Sequence, residues 1–300
     1  MTRPKLTVGI PTQGKRPERL QQAIESALAQ QIPALILVSD QGGGASEAVR
    51  PFLDNPLVIH RESPADSLWG NWSFALDSCE TEYFAWLQDD DVIFANFVKR
   101  VLLSLDTFAD ASAWIARLGV SYMPGMSNWW QATGPMIPMD LRRGLSSRLA
   151  PSMIVAGGYF TSWALSPAVA FRATDAAKNL MRSMPRDADL YAERIVLARL
   201  STLGCIACDP AYVGEWVHHG ANESGRQNLA GGAAKQYPTL VRELDQLIGD
   251  AADWEAGLSD WARIVGRENC RAWLAETDGR DDLSPRLAQA RAILRGAHPE

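Results

Sequence analysis

The chain has 300 residues, of which 47% are hydrophobic and 21% are charged, and its net charge at pH 7 is −6. This length allows a sizeable core, built as one large domain or as a domain with an appendage. The acidic balance disfavours a general nucleic-acid-binding protein, because such proteins usually carry a basic surface.

Neither a secretory signal nor a membrane span is recognisable in the sequence. Residues 1–5 lead directly into a short strand-like run, without a longer apolar core or a cleavage site. Two uncharged stretches, 118–139 and 149–171, are interrupted by Gly, Pro, Ser or Asn, which is unlike a transmembrane helix. We therefore expect a cytoplasmic protein, and a peripheral contact between residues 149–171 and a membrane stays open.

The first hundred residues predict alternating strands and helices. Apolar runs predict strands over 6–10, 34–38, 57–60 and 83–87, and helical periodicity predicts helices over 17–28, 45–53 and 70–79. Such an order predicts a mostly parallel sheet, which binds ligands at the carboxyl ends of its strands. Pro11-Thr12, Ser39-Asp40 and Asp89-Asp90-Asp91 all follow strands at that end. We therefore expect these residues to converge on one site.

The remaining two thirds of the chain are less regular. The patterns predict strands over 114–120, 166–171 and 205–209, helices over 94–105, 175–184 and 187–203, and further helices from residue 236 onward. Residues 121–165 are rich in Gly, Pro, Met and Trp, and they are predicted to be irregular. Long irregular segments inside compact domains usually carry function, and the aromatic content argues against disorder.

Three consecutive carboxylates, Asp89 to Asp91, follow the buried run Tyr83–Leu87. Concentrated negative charge at a sheet edge repels itself unless a cation binds there. Mg²⁺ and Mn²⁺ prefer oxygen ligands, and Mg²⁺ commonly uses one or two carboxylates together with substrate phosphates. The triplet therefore predicts a divalent metal that holds a nucleotide diphosphate. The alternative is an acidic loop or helix start, in which aspartates offset the helix dipole.

Four segments, in this order along the chain, resemble motifs of the family 2 glycosyltransferases of the GT-A fold. Val8–Thr12 resembles the family's first strand and turn, and Leu37–Asp40 resembles its second strand. Gly70–Asp91 is similar to the approach to its D-x-D metal motif, and Arg186–Tyr191 resembles the segment with its catalytic base. The resemblance covers roughly residues 5–220.

The resemblance implies an α/β fold of GT-A type, with a mostly parallel, Rossmann-like sheet flanked by helices and a helical C-terminal extension. We expect a glycosyltransferase domain over residues 1–235, with a nucleotide-sugar half over 1–105 and an acceptor half over 106–235. Residues 236–300 would form the extension. It could mediate contacts between copies of the chain.

The implied reaction transfers a hexose-like sugar, with inversion, from a nucleotide-sugar donor to a carbohydrate or another hydroxyl acceptor. A UDP-sugar is favoured, since Asp40 resembles the aspartate that contacts the nucleobase. The residues expected to bind the donor are Pro11, Thr12, Asp40, Gly70, Asn71, Asp89 and Asp90. The residues expected to bind Mn²⁺ or Mg²⁺ are Asp89, Asp91 and His219. The glycine run after Asp40 departs from the family pattern.

An inverting transfer needs one positioned carboxylate that takes the proton of the acceptor hydroxyl. The family's base segment commonly reads Glu-Asp, but Arg186 stands at the position of the Glu. The base is therefore Asp187 or, with a shifted register, Asp189. The alternative for Asp187 is a purely structural role at the start of a helix, and one residue can have both roles.

Tryptophans are candidates for binding the acceptor. Trp129, Trp130 and Trp163 lie in the segment predicted to be irregular and could stack on a sugar. Trp69 and Trp72 could do the same or belong to the core.

Two other classes of protein compete with a glycosyltransferase. A nucleotidyltransferase on a similar sheet needs a glycine-rich loop with a basic residue directly after the first strand, and residues 11–14 contain only one glycine. A non-catalytic nucleotide- or sugar-binding protein is the second alternative, because Arg186 replaces the expected Glu. Hydrolysis of a donor with and without metal would separate these classes.

Overall fold

The computed structural model describes residues 3–122, 147–149, 151–160, 166–185, 187, 189–218, 232–248, 253–265, 270–271, 274–275 and 277–297. The strands are β1 Leu6–Thr12, β2 Leu35–Gln41, β3 Val58–Ser63, β4 Tyr83–Trp86, β5 Val92–Ile93, β6 Ala111–Tyr122, β7 Ser147–Leu149, β8 Val169–Arg172 and β9 Cys205–His218. The α-helices are α1 Pro17–Leu28, α2 Ser46–Val49, α3 Leu68–Asp77, α4 Phe97–Thr107, α5 Pro151–Gly158, α6 Asp175–Arg182, α7 Ala192–Ser201, α8 Gly232–Ile248, α9 Trp254–Val265 and α10 Pro285–Ala297.

All nine strands of the described residues belong to one sheet, in the order β3-β2-β1-β4-β8-β6-β9-β5, with β7 paired to β9. The pairs β3-β2, β2-β1, β1-β4 and β6-β9 are parallel. Strand β8 is antiparallel to both β4 and β6, so β6 and β9 run in the same direction as β1 to β4. The predicted mostly parallel sheet with flanking helices is therefore confirmed.

Alternating side chains cover the two faces of the sheet, as the period of two in a strand requires. In β1, Leu6, Val8 and Ile10 pack on one face against α1, α2 and α4. In β4, Phe84 and Trp86 point to the opposite face, into a cluster that includes Trp69, Trp72 and residues of helices α5 to α10. Ring centroids in this cluster lie 5.1 to 5.9 Å apart, and the Trp69 Nε1–H donates to the Met181 carbonyl. Trp69 and Trp72 are thus core residues.

Two sequence predictions for the second half of the domain are wrong. The segment predicted to be irregular contains α5, which begins at Pro151 and buries Ile154 and Val155. The strand predicted over 205–209 continues to His218 and pairs with β6 along this length. Pro210 interrupts the local strand pattern, but the register between β6 and β9 shifts there, and such an irregularity accommodates a proline inside a sheet.

The helix predicted over 45–53 is also shorter than expected. It consists of α2 and a 3₁₀ turn, Arg50–Phe52, because Pro51 lacks the N–H that a continuing α-helix would use. The short strand β5, which pairs with β9, follows the aspartate triplet directly, and the sequence pattern does not predict it. This pairing holds Val92 and Ile93, directly after Asp91, beside Glu215 and Gly214 near the C-terminal end of β9.

Helices α8, α9 and α10 pack on the face of the sheet that carries Trp86. Tyr237, Leu244, Trp254 and Leu287 share one buried cluster with α3, α5 and α7. The predicted division at residue 235 falls inside α8.

In the described part of the chain, no helix is both long enough and apolar enough to cross a bilayer.

Candidate active site

The loops that follow β1 and β2 touch each other through two glycines. Gly14 has a φ of +68°, and a Cβ atom on it would lie 2.2 Å from the carbonyl carbon of Gly44. A side chain at either position would therefore push the loops apart. This contact gives a physical reason for part of the glycine run after Asp40, which departs from the family pattern.

Asn71 joins the carboxyl ends of the same two strands. Its Nδ2 donates to the carbonyls of Thr12, at 3.2 Å, and Ser39, at 3.0 Å. Its Oδ1 accepts from the Ser39 hydroxyl. The side chain is buried and both its polar atoms make hydrogen bonds, so Asn71 holds the two loops together. Gly70, its neighbour in the first turn of α3, donates its N–H to Ser67 Oγ.

Asp40, the residue expected to contact the nucleobase, is fully buried at the end of β2. Its Oδ2 accepts from the Ala45 N–H at 2.9 Å and lies 3.1 Å from His60 Nε2. Its Oδ1 is buried without a hydrogen-bond partner in the described residues. A buried acceptor of this kind favours a donor such as a nucleobase N–H. A base can reach it only if the residues that cover Asp40 move.

The first two aspartates of the triplet are bridged by Arg16, which lies directly before α1. The guanidinium donates from Nη2 to Asp89 Oδ1 at 2.7 Å and from Nη1 to Asp90 Oδ2 at 2.6 Å. The hydroxyl of Thr12 donates to the other oxygen of Asp89, at 2.6 Å. Both oxygens of Asp89 are therefore engaged, and Pro11 and Thr12 at the end of β1 lie beside the triplet, as predicted from the parallel order.

Arg16 was missed by the sequence analysis, although a signal for it exists. Lys15-Arg16 is a basic pair that follows β1, and β1 is the neighbour of the strand that ends in the triplet. Opposite charges at the carboxyl ends of adjacent parallel strands predict an ion pair. No sequence motif of fixed spacing includes this ion pair, because the length of the loop between Thr12 and Pro17 is not part of such a motif.

Asp91 differs from the other two aspartates. Its Oδ1 accepts from the Val217 N–H at 2.8 Å, and its Oδ2 is buried without a hydrogen-bond partner in the part of the chain that the structure describes. Val217 lies near the end of β9, so the unexpected length of β9 is what brings this donor to the triplet. His219 follows two residues later, and its own placement lies outside the described residues.

Burial dominates the electrostatics of the triplet. It raises the pKa of Asp89, although the Arg16 guanidinium and the Thr12 hydroxyl oppose this shift. It also raises the pKa of Asp91 well above the usual range, and the neighbouring Asp90 adds to the effect. A cation bound beside these carboxyls would favour their charged forms.

These residues fit a divalent metal that uses few protein ligands. Nowhere in the described ranges do three His, Cys, Asp or Glu side chains converge as a ligand set. Asp91 Oδ2 is one available carboxylate oxygen, whereas both oxygens of Asp89 contact Arg16 and Thr12. Mg²⁺ often takes a single protein carboxylate and completes its shell with phosphates and water. Asp91 suits that role.

Replacing Arg16 by Gln should tighten Mn²⁺ binding in the absence of nucleotide by about tenfold. The guanidinium repels a second cation, and removing one unit charge near the site changes the free energy of binding by more than about 1 kcal/mol at the effective dielectric of a protein. Metal titration followed by electron paramagnetic resonance measures the effect. Arg16→Lys is the matched control, since it keeps the charge but loses the two-pronged geometry. Unchanged or weaker Mn²⁺ binding in Arg16→Gln would contradict this account of the triplet.

A fourth carboxylate, Glu193, lies in the first turn of α7, and its charge acts on Asp91. Its Oε1 accepts from the Ser166 N–H at 2.7 Å, and the Ser166 hydroxyl donates to the carbonyl of Trp86, the last residue of β4. Glu193 is one of the charges that raise the pKa of Asp91. Burial of its carboxyl group raises the pKa of Glu193 itself to about 7, against its usual 4.5. No motif indicates Glu193, because Ser166 and Trp86 are distant from it in the sequence.

The raised pKa of Glu193 predicts a stability that depends on pH. Between about pH 4.5 and pH 7 the folded state holds this proton and the unfolded state does not, so the contribution of Glu193 to stability falls as pH rises through this range. The melting temperature of Glu193→Gln, measured relative to that of the wild type, should therefore rise as the pH is raised from about 5 to about 8. Glu47→Gln, at an exposed position on α2, is the control. A difference between Glu193→Gln and wild type that does not vary with pH would contradict the assigned pKa.

The segment expected to hold the base precedes α7. Asp187 lies in a turn rather than in a helix, and a 3₁₀ turn, Asp189–Tyr191, leads into α7. Asp187 is exposed, and its Oδ2 accepts from the Thr239 hydroxyl of α8 at 2.8 Å. The helix predicted from residue 187 thus begins later. Glu193, six residues after Asp187, lies close enough to Asp91 for its charge to raise the pKa of that carboxyl group.

Several expected site residues fall outside the part of the chain that the structure describes. They are Trp129, Trp130, Trp163 and His219, and Arg186 is also among them.

The sheet order, the flanking helices and the site at the carboxyl ends of β1, β2 and β4 define the fold of the GT-A glycosyltransferases. A sequence model described as glycosyl transferase family 2 matches residues 7–159, which is just over half of the chain. The chain belongs to this family, which confirms the resemblance; the fourth motif, Arg186–Tyr191, lies outside the matched residues. No curated protein matches the sequence.

Solved structures support the fold at low sequence identity. TarS 1-349 of S. aureus in complex with UDP-GlcNAc has a TM-score of 0.58 and 12% identity, covering 98% of this chain and 90% of that chain. The mannosyltransferase PcManGT from Pyrobaculum calidifontis in complex with GDP-Man and Mn²⁺ has a TM-score of 0.55 and 16% identity, covering 99% of this chain and 86% of that chain. At these identities the similarity concerns the fold.

Proposed function

We propose that the protein transfers a sugar from a nucleotide-diphosphate sugar to an acceptor hydroxyl, with inversion and with the help of a divalent metal. The observation that carries the proposal is the convergence of Thr12, Arg16 and the triplet at the carboxyl ends of β1 and β4. In sheets of this kind, that edge is where a nucleotide binds. Membership in family 2 supports the same reaction.

The donor would lie across the ends of β1, β2 and β4. Asp40 would offer Oδ1 to a nucleobase N–H once the residues that cover it move, and Asn71 keeps the loops around Thr12 and Ser39 in place. Arg16, held by Asp89 and Asp90, places a positive charge beside the developing negative charge of the diphosphate. Asp91 would hold the metal, and His219 is a second expected ligand. Asp89, the third, would have to release Arg16 or Thr12 to join them. Bound Mn²⁺ or Mg²⁺ would neutralise the leaving diphosphate.

Asp187 would take the proton from the acceptor hydroxyl as the sugar carbon is attacked from the face opposite the diphosphate. One carboxylate is sufficient for such an inverting step, because no covalent sugar–enzyme intermediate forms. Asp189 remains the second candidate for the base. The acceptor would be a carbohydrate or another hydroxyl compound, bound by the segment that contains Trp129, Trp130 and Trp163. The cytoplasm is the proposed location.

Two classes of donor nucleotide compete, UDP-sugars and GDP-sugars. UDP is favoured by the resemblance around Asp40, and TarS was solved with UDP-GlcNAc. PcManGT was solved with GDP-Man, so GDP-sugars are the competing class.

A thermal-shift panel of UDP-GlcNAc, UDP-Glc, UDP-Gal and GDP-Man, each with Mn²⁺ and with EDTA, tests the proposal. A ligand that binds only the folded state raises the melting temperature. We expect at least one UDP-sugar to raise it with Mn²⁺ and to lose most of this effect in EDTA. If none of the nucleotide-sugars shifts the melting temperature under either condition, the proposal is wrong. Binding without release of nucleoside diphosphate would instead indicate a non-catalytic binding protein.

A further inference from the structure

Asp40 lies one strand away from the residues that contact the aspartate triplet. Strands β1 and β2 pair in parallel, with Thr12 opposite Asp40. The Thr12 hydroxyl donates to Asp89 at 2.6 Å. Asn71 donates to the carbonyls of Thr12 and of Ser39, the residue before Asp40. Asp40 therefore belongs to the same edge of the sheet as the triplet, where parallel sheets bind their ligands.

Strand β3 brings a histidine to this aspartate. His60 lies opposite Val38 in the pairing of β2 and β3, so its side chain shares a face of the sheet with those of Val38 and Asp40. Its Nε2 is 3.1 Å from Asp40 Oδ2. Because a carboxylate only accepts hydrogen bonds, this contact requires a proton on Nε2 of the imidazole. His60 is therefore a hydrogen-bond donor to Asp40.

The two oxygens of Asp40 differ in the hydrogen bonds that they accept. Oδ2 accepts from the Ala45 N–H at 2.9 Å and from His60 Nε2–H, and two such bonds use both lone pairs of a carboxylate oxygen. Oδ1 is buried and has no hydrogen-bond partner among the residues that the structure describes. A buried acceptor without a donor costs free energy, so Oδ1 is the atom that a ligand would satisfy. Asp40 can therefore accept from a ligand through one oxygen rather than two.

We propose that His60 is a specificity-determining residue, which makes Asp40 recognise a nucleobase through Oδ1 alone and so favours uracil or thymine over guanine. This inference rests on the proposed function, because it specifies the base of the donor nucleotide. Uracil and thymine present a single ring N–H, which one oxygen accepts. Guanine presents a ring N–H and an adjacent amino group, which match both oxygens of a carboxylate, but Oδ2 is already saturated. Cytosine presents the lone pair of a ring nitrogen, which a carboxylate repels.

Calorimetric titration of UDP, dTDP, GDP and CDP, each with Mn²⁺, compares the wild type with His60→Ala. We expect the wild type to bind UDP or dTDP at least about tenfold more tightly than GDP and CDP, the usual effect of one hydrogen bond to a charged group. The separate titrations of UDP and dTDP show which of the two bases is preferred. In His60→Ala, Oδ2 regains a lone pair for the guanine amino group, so the preference over GDP should shrink about tenfold.

Two further variants control for a changed side chain on β3. His60→Gln retains a side-chain donor and should keep the wild-type preference. Arg61→Ala alters the next residue of β3, which is exposed and lies 3.9 Å from Glu80, so its preference among the four nucleotides should equal that of the wild type.

Asp40→Asn tests the same contacts without a change at His60. The amide oxygen should take the place of Oδ2, because two donors face that position, and the amide nitrogen would then face the base. The affinity for UDP should fall about tenfold or more, since its ring N–H would meet a donor. CDP, which presents an acceptor there, should bind more tightly than UDP.

Each outcome has a distinct meaning. A wild type that prefers GDP, or an equal preference for UDP over GDP in the wild type and His60→Ala, would overturn the inference. Loss of the preference in His60→Gln would also overturn it. If His60→Ala does not fold, Asp40→Asn decides, and a preference for UDP over CDP in that variant would be the contrary result. A wild type that binds UDP selectively but transfers no sugar overturns the proposed function alone, whereas one that binds none of the four nucleotides overturns both.

Discussion

We expect replacement of Asp187 by Asn to lower the rate of sugar transfer by about 10² to 10⁴, the usual contribution of a general base. The amide has the shape of the carboxylate, and its oxygen can still accept from the Thr239 hydroxyl, so the turn before α7 should keep its conformation. Because Asp187 is exposed and makes no ion pair in the described part of the chain, the melting temperature should hold. The measurement is kcat with the best donor of the panel, together with the donor's dissociation constant.

Asp189→Asn is the matched variant for that measurement. Asp189 lies two residues away in the 3₁₀ turn and carries the same charge. If Asp189→Asn loses activity while Asp187→Asn keeps it, the base is Asp189 and the register inferred from the family is wrong. Wild-type rates in both variants would place the base elsewhere in the chain.

We expect replacement of Asp91 by Asn to remove the metal dependence of nucleotide binding. In Mn²⁺, the affinity for UDP should fall by about 10²-fold, toward the value measured in EDTA, because a metal supplies several kcal/mol of stabilisation to a diphosphate. The amide oxygen of the variant would still accept from the Val217 N–H, so only the unpaired carboxylate oxygen would be lost. Burial disfavours the charged form of Asp91, so the amide should not reduce the melting temperature.

Calorimetric titration of UDP with Mn²⁺ and with EDTA measures this effect. Asp54→Asn, at an exposed position before β3, is the control for loss of one negative charge. If Asp91→Asn binds UDP as tightly as the wild type and responds equally to EDTA, Asp91 is not a metal ligand.

The parallel half of the fold could be predicted because its strands are short and buried on both faces. Leu35 to Val38 is apolar throughout, as a strand covered by helices on both sides must be. The carboxyl ends of adjacent parallel strands share one edge, so the contact of Thr12 with Asp89 follows from the strand order. In this half, local pattern and tertiary structure agree.

The rest of the site depends on contacts that local patterns do not encode. Val217 reaches Asp91 only because β9 continues past Pro210, where the proline suggests an end to the strand. Glu193 accepts from the N–H of Ser166, 27 residues earlier, and Thr239 lies 52 residues from Asp187. Spacing within a helix or strand cannot predict such pairs, since each joins elements whose packing is fixed by the whole core.

The anomeric configuration of the sugar released from an α-linked nucleotide-sugar distinguishes an inverting transfer from a retaining one. In the absence of an acceptor, water can take its place, and proton nuclear magnetic resonance follows the first product before it equilibrates. We expect release of nucleoside diphosphate with Mn²⁺, a β-anomer as the first sugar product, and loss of both signals in EDTA and in Asp187→Asn. An α-anomer formed first, or release that is equal in wild type and Asp187→Asn, would contradict an inverting transfer with Asp187 as the base.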